Sequence, residues 1–216
     1  IEVMARRANL QLVQAPAQKT EPREYSGEFW ATKKERMHSM HYVVPYRGSS
    51  NPDLVDYVIR KYSEKGSVVL DPFCGRGATA LQANLLGRVA FASDNNPLAV
   101  KLTKAKTMPV GLDEVVMRLT MLDLQRPVDM AGYAEQFEAF YHPGTFREIS
   151  NLRTALKIKE DWVNQFIELI AFSRLHGHTD AHFSTYTSPN VCMSPERQLS
   201  INLKRRQEPE HRAIAP

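Results

Sequence analysis

Apolar and polar positions along the chain follow two different rhythms, and the change between them falls near residue 110. Residues 1–30 hold no sustained period and carry Pro16, Lys19, Pro22 and Arg23, which predicts an arm over 1–32. A short apolar run, Tyr42–Tyr46, then ends in Gly48-Ser49-Ser50. Asn51 followed by Pro52 reads as an N-cap and first helical position, opening a helix that would place Leu54, Val58 and Ile59 on one face. The run SVVLDPF is continuously apolar, as in a strand buried on both sides. A glycine loop over Phe73–Gly77, a helix from Ala78 to Leu86, the strand RVAFASD and a helix from Leu98 to Thr107 complete a βαβα unit over 33–109.

Beyond Pro109 the strand signal fades and the spacing becomes helical. Val115, Leu119 and Leu122 form one stripe. Phe137, Phe140, Tyr141, Phe146, Trp162, Phe166, Leu169 and Ile170 form another, predicting a helical subdomain with a bundle core over 110–176. Residues 177–216 read as a loop-rich basic segment with a short helix over Pro195–Lys204. The fold class expected is therefore α/β, a partial Rossmann-like unit with a helical insertion.

Composition narrows the function classes. Two cysteines exclude a disulfide scaffold and a structural zinc cluster, and they point to a reducing compartment. No apolar run approaches the roughly 18 residues of a membrane span. Against 28 Lys and Arg stand 24 Asp and Glu, a mild excess that permits a polyanionic partner without requiring one. His176, His178 and His182 lack the cysteine or carboxylate companions of a zinc site, so no metal is expected. The chain opens at Ile1 with Met4 shortly after, which reads as a cut end.

The chemistry concentrates in Asp71-Pro72-Phe73-Cys74-Gly75-Arg76-Gly77-Ala78-Thr79. Gly75 and Gly77 permit close approach of a ligand to the backbone, and the helix behind them offers free N–H groups. Asp94 ends the second strand about 20 residues on, where a carboxylate can accept from both hydroxyls of a ribose. A dinucleotide fingerprint needs a third glycine, but position 80 is Ala, and the P-loop pattern is absent. An acid at the strand end repels pyrophosphate and suits a cationic sulfonium. These residues together point to S-adenosylmethionine.

VVLDPFCGRGATALQANLLGR followed by FASDNNPLA resembles motifs I and II of the amino-group DNA methyltransferases, which methylate N6 of adenine or N4 of cytosine. The common first motif is D-P-F-x-G-S-G-T-T; this chain has Arg76 for Ser and Ala78 for Thr. Tyr46–Ser63 resembles motif X, and the likeness runs over residues 40–107. It implies that Asp71, Pro72, Phe73, Cys74, Gly75, Gly77 and Thr79 line the cofactor. It further implies Asp94 on the ribose, Asn95 near the adenine, and Ser49, Ser50 or Asn51 near the methionine. A nucleophilic role for Cys74 is not expected.

The family's catalytic motif, [DNS]-P-P-[YFW], is not found. Thr187-Ser188-Pro189-Asn190 and Ser194-Pro195-Glu196-Arg197 come nearest, and both read as turn or helix-start signals. Most strands of the family's sheet are missing too. The expectation is thus the N-terminal, cofactor-binding half of a DNA methyltransferase, its catalytic part truncated or on a second polypeptide. Double-stranded DNA would be the substrate, in a bacterial cytoplasm, as in restriction-modification. Lys204, Arg205 and Arg206 would meet DNA phosphates, with Lys33, Lys34 and Arg36 a second basic cluster. An RNA guanine-N2 methyltransferase and a non-catalytic S-adenosylmethionine-binding subunit are the alternatives.

Overall fold

The computed structural model describes residues 37–46, 48–108, 110–177, 179–184 and 193–214. Among these, two strands, β1 (Val68–Asp71) and β2 (Val89–Ala92), form a parallel sheet in which Val68 pairs with Val89 and Leu70 with Phe91. Parallel strands need a crossover, supplied here by α2 (Ala78–Leu85). Before β1 come a 3-10 turn, Ser39–Tyr42, and α1 (Pro52–Tyr62); after β2 comes α3 (Pro97–Thr107).

Asn51 caps α1 as its sequence position predicts, accepting from the Asp53 N–H at 3.0 Å. The buried face of α1 is Val55 and Ile59; Val58 points out to solvent and Leu54 is half-buried. The apolar stripe is thus displaced from the one expected, because α1 must meet α2 and the sheet together. Val55, Ile59, Ala78 and Ala83 form a cluster with Val69, Leu86 and Ala90 against it. Asn96 caps α3 by accepting from Leu98 N–H, and Pro97 takes its first position.

Among the described residues the strands are covered on one side only. Side chains alternate along a strand, so Val69 and Ala90 face α1 and α2, while Val68, Leu70, Val89 and Phe91 turn the other way. These four are 65%, 68%, 49% and 57% exposed. The two-sided burial expected of SVVLDPF is therefore not observed among the described residues.

The second half is helical: α4 (Leu112–Thr120), α5 (Tyr133–Gln136), α6 (Pro143–Ile158), α7 (Trp162–Arg174) and α8 (Pro195–Arg205). Its core is Leu124, Leu152 and Ile167, with Val115, Leu119, Leu122, Leu156 and Val163 around them. Of the aromatic and apolar stripe expected to form the core, Tyr141 and Leu169 are buried, while Trp162 is exposed. Phe137 and Phe146 pair their rings at 4.9 Å. Leu169 does not serve the bundle. It joins Leu102 and Ala105 of α3, with Met40, Val43, Val44 and Tyr46 packed against them. The helical half is therefore bolted to the α/β half through α3 and α7.

The last described stretch straps onto α6. Thr145 Oγ1 accepts from Arg212 N–H at 2.8 Å and donates to its carbonyl at 3.0 Å. Glu148, 2% exposed, accepts from the Ile214 N–H and pairs with His211. No helix among the described residues is long and apolar enough to cross a membrane.

Candidate functional site

The carboxyl ends of β1 and β2 converge on the glycine loop, and backbone hydrogen bonds tie loop to strand end. Cys74 N–H donates to the Ser93 carbonyl at 2.9 Å, and Ser93 N–H to that of Asp71 at 3.0 Å. Asp94 fixes the loop further. Its Oδ2 accepts from Gly75 N–H and its Oδ1 from Asn96 N–H, both at 2.8 Å. Those N–H groups of Asn96 and Gly75 hold the Asp94 carboxyl below its ordinary range, so it is an anion at neutral pH. An ionised carboxylate offers about four lone-pair sites. Asp94 can therefore hold the loop and still accept from further hydroxyls.

The two loop glycines do different work. Gly75 has φ +51°, and a Cβ there would lie 3.6 Å from the Tyr46 ring, in ordinary contact. Gly77 has φ +80°, and its Cβ would stand 2.7 Å from Thr103 Oγ1 and 3.0 Å from Thr103 Cα. Gly77 thus lets α3 pass directly against the loop, while Gly75 faces the Tyr46 side. Phe73, 83% exposed, projects from the end of β1, and its N–H donates to Asp71 Oδ1 at 3.1 Å.

Cys74 is buried, and burial, with the charges of Asp94 and Asp71 adding to it, pushes its thiol up despite the hydrogen bond from Thr103. A thiol so raised is a poor nucleophile. The environment suits a small buried side chain.

Of the residues expected at the site, Asp71, Pro72, Phe73, Cys74, Gly75 and Gly77 share one loop, and Asp94 and Asn95 sit beside it at the end of β2. Thr79 lies in the first turn of α2. Asn51 caps α1. Lys204, Arg205 and Arg206 are exposed at the end of α8, in the helical half of the molecule. Lys33, Lys34, Arg36 and Thr187–Asn190 lie outside the described residues. Ser194-Pro195-Glu196-Arg197 is a helix start: Ser194 caps α8, accepting from Arg197 N–H. His176 bonds Tyr141 and His182 bonds Thr179, while His178 lies outside the described residues.

Three further residues belong to the site. Tyr46 covers Gly75, and its hydroxyl accepts from Asn96 Nδ2 at 3.1 Å, closing a bridge between the lead-in and the start of α3. Thr103 and Lys106 reach the loop from α3, Thr103 with its hydroxyl 3.4 Å from the Gly75 carbonyl and Lys106 donating to the Arg76 carbonyl at 3.0 Å. Tyr46 was readable as an aromatic residue closing an apolar run. Thr103 and Lys106, one helical turn apart, carry no signal until the direction of α3 is known.

Residues 5–105 match the model of a family described as DNA methylase, of the N6 and N4 type. The chain is 27% identical over 93 residues to the type II methyltransferase M.MjaII of Methanocaldococcus jannaschii, covering 43% of this chain and 17% of that protein. It is 30% identical over 84 residues to the type II methyltransferase M.EcaI of Enterobacter cloacae, covering 39% of this chain and 18% of that protein. The chain thus spans less than a fifth of either relative. No solved structure gives a significant match. The resemblance to DNA amino-methyltransferases read from the glycine loop and second strand is borne out.

Proposed function

We propose that this chain is the S-adenosylmethionine-binding part of a DNA methyltransferase that acts on the exocyclic amino group of adenine or cytosine. The observation that carries the reading is Asp94, an ionised carboxylate at the end of β2 locked to the N–H of Gly75. That pairing puts a hydroxyl-accepting group beside an open glycine loop, at the strand ends where α/β sheets take their ligands.

The residues present fit such a cofactor. Asp94 would accept from the ribose hydroxyls, keeping its bonds to Gly75 and Asn96. Gly75 lets the ligand approach the backbone, Phe73 offers an exposed ring, and Tyr46 borders the loop on the lead-in side. Asn95 would stand toward the adenine. When bound, the cofactor supplies a methyl group on a cationic sulfur. Carboxylates at Asp71 and Asp94 favour that charge, and they would disfavour a pyrophosphate in the same place.

Methyl transfer to a base further requires an acceptor for the amino protons and an aromatic surface for the extruded ring. The bare side of the sheet supports the inference that these arrive on another segment. Parallel sheets are covered on both faces, and here Val68, Leu70, Val89 and Phe91 are uncovered. A segment adding a parallel strand and a covering helix would bury them and bring its own strand end beside the glycine loop. Whether that segment continues this polypeptide or belongs to a partner, it would carry the acceptor chemistry.

DNA is the proposed substrate, since the family model matched by residues 5–105 is described as DNA methylase. Lys204, Arg205 and Arg206, exposed at the end of α8, would neutralise phosphates. Their replacement should reduce the salt slope of DNA binding by about 3. Transfer of labelled methyl to mixed duplex DNA tests the whole reading. The chain alone should give none, and transfer should appear once a segment bearing the acceptor motif is supplied. Transfer by the chain alone would show that its acceptor residues are already present.

A further inference from the structure

The helical half holds a cavity of about 670 Å³ between α6 and α7, bordered also by Lys101 of α3 and by Phe183. Its walls are apolar, with Leu152 and Leu156 from α6 and Ala171 and Leu175 from the end of α7. Sites for small ligands are typically roughly 300–1,000 Å³, so this groove has room for one. Its rim is cationic. Lys101, Arg153, Lys157 and Lys159 line it against Glu160 and Glu168. Two of these cations are already engaged, Lys101 with Glu168 at 3.0 Å and Lys159 with Asp161 at 3.2 Å.

Arg153 and Lys157 are exposed one turn apart on α6, with no ion pair or hydrogen bond among the described residues. Like charges so spaced repel, and an anion between them relieves the repulsion. A second feature is Gln165 Oε1, buried without a hydrogen-bond partner on the wall of the same groove. Buried acceptors are nearly always paired, so this one marks a place for a donor. The third is the Phe172 ring, 42% exposed and also lining the groove. Gln165 and Phe172 border a smaller cavity together with Leu98 and Lys101, which sets amide and ring side by side. An acyl chain would use the apolar walls and leave the amide unpaired, and a bare phosphate would use the cations alone. A nucleotide uses all three features.

We propose that the α6–α7 groove binds an unpaired DNA nucleotide whose base carries an exocyclic amino group, adenine or cytosine. Its phosphate lies between Arg153 and Lys157, held by charge-assisted bonds. Its base stacks on Phe172, with the amino group donating to Gln165 Oε1. The choice of a DNA nucleotide rests on the DNA reading above. It deepens that reading with a strand contact outside the glycine loop and distinct from Lys204, Arg205 and Arg206.

The test is calorimetric titration of the full chain with dAMP and with a short single strand of deoxyadenosine, both in the presence of saturating S-adenosylhomocysteine to fill the glycine loop. Both should bind, the strand more tightly. Arg153→Glu combined with Lys157→Glu should weaken both about tenfold or more, and Phe172→Ala about tenfold. Gln165→Leu should weaken dAMP about fivefold and leave deoxyribose 5-phosphate unchanged. Arg153, Lys157 and Phe172 are exposed, so their variants should keep the urea midpoint of the unaltered chain. Equal affinity for strand and dAMP would make the ligand a free nucleotide and overturn the DNA assignment. Strand binding that the groove variants leave unchanged would overturn the site while the DNA reading stands, and would leave the groove for an acidic helix of the completing segment. Displacement of dAMP by S-adenosylhomocysteine would likewise overturn the site, by placing the nucleotide in the glycine loop. Absence of any strand binding by the unaltered chain would overturn the DNA reading and the site with it.

Discussion

The two faces of the β1–β2 sheet are built from alternate residues of the same eight, yet they meet opposite surroundings. On one, Val69 and Ala90 pack against a cluster of Val55, Ile59, Ala78 and Ala83. On the other, Val68, Leu70, Val89 and Phe91 are largely open to solvent. Burying one such side chain contributes on the order of 1.5–3 kcal/mol, so four together amount to a strong drive toward a covering partner. The lesson is that apolar character records the burial a strand needs in its working state. The covered face shows how that need is met by α1 and α2, and the open face shows where more protein belongs.

The largest contrast should come from the covered face. Ile59→Ala removes buried methyl groups from the α1–α2 cluster and should cost about 2–4 kcal/mol by urea unfolding. Gly77→Ala should cost about 2–3 kcal/mol, since it combines a left-handed backbone with a Cβ pressed on Thr103. A Thr103→Ala partner change should recover only the packing part, because φ at position 77 stays positive.

Away from the sheet, the strap on α6 supplies a pH test. Burial pushes the Glu148 carboxyl up, but the Ile214 N–H, Gln125 and His211 outweigh it and hold it below its ordinary 4.5. A depressed carboxyl stabilises the fold above its unfolded value and loses that contribution as pH falls through the lower folded value. Stability should therefore decline with acid below about 4.5, and Glu148→Gln should flatten that limb. An unchanged acid profile in the variant would remove Glu148 as its source. Smallest of all, Leu70→Ala on the open face should change the stability of this chain by less than about 0.5 kcal/mol. The same substitution should become costly once the completing segment is bound, and equal effects in both states would show that the face is never covered.

Much of the α/β half was legible because its signals are local. Asn51-Pro52 and Asn96-Pro97 open helices by satisfying early N–H groups, and Gly77 marks the junction of strand, loop and helix. The position of Asp94 at the end of the second strand was legible too, whereas its hydrogen bonds to the Gly75 and Asn96 N–H groups were not. What could not be read was the direction of each helix once packed. The face of α1 moved from Val58 to Val55 because two neighbours compete for it. Thr103 and Lys106 entered the site only through the crossing of α3 over Gly77. In the helical half, aromatic spacing predicted helices correctly but not their core. Leu169 was drawn across to α3, leaving Leu124, Leu152 and Ile167 at the centre.

Equilibrium dialysis of labelled S-adenosylmethionine against this chain asks whether the Asp94-braced glycine loop binds that cofactor. The expected result is saturable binding at one site, displaced by S-adenosylhomocysteine and not by NAD, and weakened about tenfold or more by Asp94→Ala. Binding that is absent, that NAD displaces, or that Asp94→Ala leaves unchanged would contradict it.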